Sequence, residues 1–464
     1  MKLADRRFAG LLVVGLGTLL GPLDSAVNIA FPHITGSFGV PLQMIQWVVI
    51  CYVLTYGSLM LVFGKLGDMF GYRRIFRAGL ILSTGALALC ALAPSFGWLL
   101  LFRFLQGVGT ALVLSCGPAL ATAGYPEHER ARALGAYTMM FALGSVVGPS
   151  LGGLLVEAFG WGAVFWFRVP IALFALALMG LVPRPSQSLA GRPFDAFGAV
   201  LLAVSLALLM LSLNMARPGG AGAAAALGVG LVAGLGFLAF LWQEARFAEP
   251  LIRLGPFRDI EFSLLNLASI AVYLVSFSVL LLVPYYLDRL TELSVTVAGL
   301  VLASGFIGAV LSAPLGGRLA GRLGSNRIGF AGAVLVAGGT LLVGLWDGTT
   351  GPSVMVATLL VQGVGLGFFQ VAYMDMVTGR LPREDRGVAG SLTMLTRTIG
   401  VVASATGLTL IFDTLELAAA AGLSAEARFL ASFQGTFVLA GLALVIFLAL
   451  SLFKPRTWFG PPRP

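Results

Sequence analysis

Apolar runs of about 20 residues recur from one end of the chain to the other, parted by short polar breaks, and each run can cross a hydrocarbon core of about 30 Å as a helix. The pattern predicts fourteen spans, over 8–30, 44–63, 75–93, 97–121, 133–158, 162–182, 196–214, 221–243, 262–287, 297–317, 327–346, 353–378, 388–412 and 433–453. No break between them has room for a water-soluble domain. Composition agrees, since 58% of residues are hydrophobic before the 61 glycines are added and only 11% are charged, where soluble domains average about 25%. The chain reads as an all-α integral membrane protein.

The charges then orient the spans. Of the 29 Lys and Arg, 23 fall in the breaks on the side of the N-terminus, three on the other side (Arg217, Arg289, Arg428) and three inside spans (Arg103, Arg168, Arg397). Basic loops stay on the cytoplasmic face, which places both termini in the cytoplasm and the protein in the plasma (inner) membrane. The same distribution accounts for the net charge of +9 as a topology signal beside anionic lipid, with no nucleic-acid partner. The opening MKLADRRFAGLLVVGLG imitates a signal peptide but has no convincing small-residue cleavage site near Gly21, so it reads as a retained first span. Cys51, Cys90 and Cys116 all fall within spans and read as buried thiols.

An internal repeat refines this layout. GKLGDMFGYRR (64–74) aligns with GRLAGRLGSNR (317–327) at an offset of 253, QGVG (106–109) with QGVG (362–365) at 256, and GAYTM (135–139) with GSLTM (390–394) at 255. The offset equals eight spans, so a six-span unit recurs after two inserted spans and both copies enter the membrane the same way round. The expected domains are 1–183, an N-terminal six-helix bundle; 184–258, a linker with two extra spans; and 259–464, a C-terminal six-helix bundle. Arg103 corresponds to Leu359 and Asp68 to Gly321, so the fold itself requires neither charge.

Four segments carry a resemblance to a known family. GKLGDMFGYRR resembles the loop signature of the major facilitator superfamily, and LLLFRFLQGVGTAL (99–112) its fourth-helix motif. LGSVVGPSLGG (143–153) resembles its fifth-helix antiporter motif, and PLDSAVNIAFP (22–32) the first-helix motif of the fourteen-helix drug:proton antiporters. This resemblance implies the major facilitator fold, with two six-helix bundles in parallel repeat plus two inserted helices, and transport by alternating access. It implies a cytoplasmic gate at Gly64, Asp68, Gly71, Arg73 and Arg74, although Met69 stands where the family carries a basic residue. It also implies an antiporter face at Gly144, Gly148, Pro149, Gly152 and Gly153 that rocks against the opposite bundle. On the residues alone, Gly144, Gly148 and Gly152 form one smooth helical face for close packing, and Pro149 removes a backbone hydrogen bond.

Candidate chemistry centres on charges inside spans, which are costly there and functional by default. Asp24 is the one carboxylate deep in the first repeat, about 12 Å below the outer end of its span, and Arg103 lies at about 9 Å. That shared depth permits a pair that either handles protons or merely locks the bundle. Asn28, one turn on, shares the face of Asp24. Arg168, in WGAVFWFRVP, stands where the family carries Asn; a peripheral sixth helix predicts that it snorkels to the outer interface, attraction of an anionic group being the lesser reading. In the second repeat Arg397 and Asp375 lie at comparable depth and can pair, either to hold the bundle or to handle substrate or protons, and both stand with Asn28, Gln106, Gln362 and Gln370 as cavity and substrate candidates.

No metal cluster or Ser/His/Asp set is visible in the sequence, so the chain is read as no enzyme. The leading expectation is proton-coupled export of amphipathic organic compounds, drugs included. Export of a lipid or envelope metabolite is the alternative, and uptake by symport a weaker third. The proton gradient replaces any cofactor. The expected partners are a small amphipathic substrate, protons and the lipid bilayer, for a monomer; a periplasmic adaptor is left open.

Overall fold

The computed structural model describes residues 3–183, 195–215, 222–247, 254–381, 388–419 and 423–460. The first crossing is built from three pieces, α1 (Leu3–Leu19), α2 (Ala26–Ile29) and α3 (Phe31–Phe38), with a 3-10 turn over Pro22–Ser25 between the first two. Then follow α4 (Ile45–Phe70), α5 (Tyr72–Ala91), α6 (Phe96–Thr122), α7 (Glu127–Phe159), and a sixth crossing made of α8 (Ala163–Trp166) and α9 (Arg168–Ala177). The inserted pair is α10 (Ala196–Met215) and α11 (Ala223–Arg246). The second repeat comprises α12 (Ile260–Leu290), α13 (Val295–Leu323), α14 (Ser325–Val343), α15 (Pro352–Arg380), α16 (Val388–Ala418) and α17 (Ala425–Ser451), and a short α18 (Arg456–Phe459) ends it.

Thirteen helical stretches among the described residues are long and apolar enough to cross a membrane, and a shorter apolar stretch, Phe197–Leu209, lies in α10. Each expected span therefore has its helix. The chain divides into two compact units, one of residues 1–207 and 235–251, the other of 208–234 and 252–464. The first unit buries Val14, Phe76, Leu80, Val113 and Leu120 in its core. The second buries Leu265, Val272, Val336, Phe369 and Tyr373.

The repeat seen in the sequence is a repeat of packing. Gly71 ends α4 and begins α5 at φ 93°, and its counterpart Gly324 joins α13 to α14 at φ 91°, a backbone that only glycine adopts without strain. A Cβ on Gly107 would lie 2.8 Å from the carbonyl oxygen of Tyr52. One on Gly363 would meet the carbonyl of Gly305, the matching pair. Likewise Gly79 and Gly109 cross in the first unit as Gly332 and Gly365 do in the second; a Cβ on Gly79 would lie 2.9 Å from the Gly109 oxygen, and one on Gly332 2.7 Å from the Gly365 oxygen. The QGVG match is thus a matched helix crossing, in which the missing side chains let backbones touch.

Candidate functional site

The first crossing is interrupted where its chemistry lies. Pro22 lacks an N–H and cannot continue the ladder from α1, so the chain winds more tightly over Pro22–Ser25, and the Asp24 N–H donates to the Gly21 carbonyl at 3.0 Å. That turn presents the Asp24 carboxylate to α6. There Arg103 and Gln106, three residues apart, share one helical face. The α8–α9 junction delivers Arg168 from the other side.

The carboxylate is held by four donors. Arg103 grips it through both oxygens, Nη1 to Oδ1 at 2.6 Å and Nη2 to Oδ2 at 2.8 Å. Arg168 Nη1 donates to Oδ1 at 2.8 Å and Gln106 Nε2 to the same oxygen at 3.0 Å. Arg103 also donates from Nε to the Val48 carbonyl at 3.0 Å and from Nη1 to Gln106 Oε1 at 2.8 Å. The Tyr52 ring lies 4.2 Å from its guanidinium carbon. Arg168 donates from Nε to the Val164 carbonyl at 3.0 Å and lies 5.4 Å from the Phe165 ring. Both guanidiniums are buried, at 2% and 0% exposure, and Asp24 keeps 12%. A fork of two parallel N–H···O bonds is the strongest way to hold a carboxylate. Yet one carboxylate neutralises only one of two guanidiniums, so ionised Asp24 leaves the cluster at a net charge of +1.

The glycine face of α7 packs on this turn. A Cβ on Gly144 would lie 2.8 Å from Pro22 Cγ, one on Gly152 2.9 Å from Ala26 Cα, and one on Gly148 would meet the Ser25 hydroxyl. The helix this face admits is the first crossing of its own unit, where rocking against the opposite bundle was expected. Pro149 lies in α7 and leaves the carbonyl of Ser145, four residues back, without its helical donor. The Ser25 hydroxyl supplies one at 3.3 Å, shared with the Pro22 carbonyl at 2.8 Å. The antiporter-like face thereby clamps the residues on either side of Asp24. Gly153 is buried beside it.

The remaining candidates are dispersed. Asn28 is buried on α2, outside the set of donors to Asp24. Arg168 is fully buried, not at the outer interface as expected, because the Asp24 carboxylate offers it a charged partner. Arg397 and Asp375 do not pair: Arg397 lies 5.8 Å from the Tyr273 ring, and exposed Asp375 accepts from the Ser325 hydroxyl. Gln362 is buried against Gly339 and Gln370 is half-buried on α15. In the gate loop Gly64 is half-buried on α4, Arg73 half-buried and Arg74 exposed, while the Asp68 side chain lies outside the described residues. A polar cluster that the sequence did not flag sits in the second unit. There the Tyr373 hydroxyl bonds Asn266 Oδ1 at 2.9 Å and Thr396 at 3.2 Å, and Thr396 bonds Ser269 at 2.9 Å. The spacing of Asn266 and Ser269, one turn apart on α12, was its only signal.

The sequence profile of the Major Facilitator Superfamily matches residues 13–257 and 265–464. The chain belongs to the Major Facilitator Superfamily. Within the superfamily it is 31% identical over 393 residues to multidrug resistance protein Stp of Mycobacterium tuberculosis (strain CDC 1551 / Oshkosh), covering 84% of this chain and 73% of that one. It is 29% identical over 391 residues to the riboflavin transporter RibZ of Clostridioides difficile (strain 630), covering 84% of each. It is 30% identical over 403 residues to the tetracenomycin C resistance and export protein of Streptomyces glaucescens, covering 86% and 74%. Its fold is similar to the crystal structure of a bacterial homologue of the human lysosomal transporter Spinster, at a TM-score of 0.72 and 18% identity over 99% of both chains. The protein is a multi-pass membrane transporter of this superfamily and not an enzyme.

Proposed function

We propose that the protein exports amphipathic organic compounds in exchange for protons, by alternating access, with Asp24 as the group that takes the proton and Arg103 as the partner that senses it. The observation that carries this reading is the bidentate Asp24–Arg103 pair, joined by Gln106 and Arg168. Protonating Asp24 removes the counter-charge of two buried guanidiniums at once, a large change for one proton, and such a change biases an equilibrium between two conformations. The relatives named for multidrug resistance and for tetracenomycin C export favour outward transport. The relative named a riboflavin transporter favours a second reading, transport of a metabolite by the same site.

In this reading the protein works as a monomer in the plasma (inner) membrane with both termini cytoplasmic, drawing on the proton gradient. The test is efflux of a dye and drug panel from a pump-deficient host, with and without an uncoupler, together with proton flux in everted vesicles for the wild type and Asp24→Asn. Efflux is expected to collapse with the uncoupler, and Asp24→Asn to abolish substrate-coupled proton flux. Undiminished coupled flux in Asp24→Asn removes Asp24 from the mechanism.

A further inference from the structure

Arg168 has one group for which the structure provides no partner. Its Nε donates to Val164 and its Nη1 to Asp24, but Nη2 is buried with no hydrogen-bond acceptor among the described residues. A guanidinium carries five N–H donors and stays charged under all ordinary conditions. A buried donor without an acceptor is costly, and more so when it carries charge. The Phe165 and Phe167 rings, 5.4 and 5.9 Å away, offset part of the charge but accept no hydrogen bond in the plane of the fork. The donor set at Asp24 is therefore complete around the carboxylate and incomplete around Arg168.

We infer that Arg168 Nη2 is the substrate-recognition donor, and that it takes a neutral hydrogen-bond-acceptor oxygen on an amphipathic molecule while excluding lipophilic cations. The inference rests on the proton-exchange reading above. With Asp24 ionised, the cluster of Asp24, Arg103 and Arg168 carries +1. A cation approaching it meets repulsion in a medium where charges are poorly screened. An organic anion is attracted, but its counter-charge replaces that of Asp24 and so favours a proton on Asp24. Anion and proton then bind together, which is the sign of co-transport and the opposite of exchange. A neutral acceptor satisfies Nη2 without altering the charge count, so its exchange for the proton is set by the opposite conformations that substrate and proton favour and not by charge competition at the cluster. In this conformation Nη2 is sealed, so the donor is offered in another state of the cycle.

The experiment uses three aryl compounds of related build: tetraphenylphosphonium (cation), triphenylphosphine oxide (neutral, one phenyl replaced by an acceptor oxygen) and tetraphenylborate (anion, the shape of the phosphonium). Binding to purified full-length protein is measured by equilibrium dialysis, and transport in proteoliposomes with and without an imposed proton gradient. For the wild type the neutral oxide is expected to bind at least about tenfold more tightly than the phosphonium. Arg168→Gln removes the surplus charge and is expected to admit the phosphonium and weaken the oxide. Arg168→Lys keeps the charge but loses the planar fork, so it should go on excluding the phosphonium while binding the oxide more weakly. Thermal melts of both variants establish that they are folded, and the lysine variant suffices if the glutamine variant is not. Wild-type preference for the phosphonium or the borate overturns the inference, as does an unchanged preference in both variants, which would make Nη2 a packing donor only. Transport indifferent to the gradient instead defeats the proton-exchange reading, a separate outcome.

Discussion

At the scale of single residues, Asp24 is the counter-charge for two guanidiniums, so its loss is expected to cost more than the loss of either arginine. Asp24→Asn leaves two buried cations facing an amide, and breaking a buried pair by removing one partner costs about 3–5 kcal/mol. Arg168→Gln leaves the two-oxygen grip of Arg103 intact and relieves the surplus charge. Thermal melts of detergent-purified protein are expected to rank Asp24→Asn clearly below Arg168→Gln; the reverse order would contradict the assigned charge balance. Much of this site was legible in the sequence. Comparable depth below the outer surface put Asp24 and Arg103 together, and Gln106, read as a cavity candidate, lies one turn from Arg103 and joins them. Arg168 was expected at the outer interface because the sixth helix was placed at the periphery. A charge finds its counter-charge before it finds the interface, and burial in low dielectric makes that preference strong. Arg397 and Asp375 failed as a pair for a related reason: depth along the normal says nothing of direction around a helix.

At the scale of elements, the device is the clamp between α7 and the broken first crossing. Gly152→Ala places a methyl 2.9 Å from the Ala26 backbone, which cannot move aside as a side-chain tip does. Overpacking of this kind typically costs about 1–3 kcal/mol. Because Ala26 lies two residues from Asp24, coupled transport is expected to fall more than stability does. Gly135→Ala, on the same helix with open space around it, is the control and is expected to transport as the wild type; equal loss from both would place the effect in α7 itself and not in its contact. Both the glycine spacing and Pro149 were readable from the sequence. Their partner was not, since a small-residue stripe shows that something approaches closely without showing what. The hydroxyl of Ser25, which serves the carbonyl that Pro149 frees, was likewise hidden, because it answers a vacancy 120 residues away.

At the scale of the whole molecule, the two repeats share their scaffold and differ in their charges. Gly71 and Gly324 make the same turn, and Gly107 and Gly363 the same crossing, yet buried Leu359 stands where Arg103 would recur. Spans, order and repeat were all legible because apolar length and glycine spacing are local properties that lipid enforces strictly. The contacts that turn one copy into a charged site are tertiary and were only partly so. The +1 left on the Asp24 cluster also has an electrical consequence. A full charge crossing the membrane exchanges about 2.3 kcal/mol with each 100 mV of potential. Conformational change that carries this cluster through part of the field is therefore a current, even with no substrate bound. Recordings on a solid-supported membrane are expected to show a displacement current for the substrate-free wild type and none for Arg168→Gln, in which ionised Asp24 and Arg103 cancel. One arginine on the sixth crossing thus makes the resting potential of the cell a force on the empty carrier.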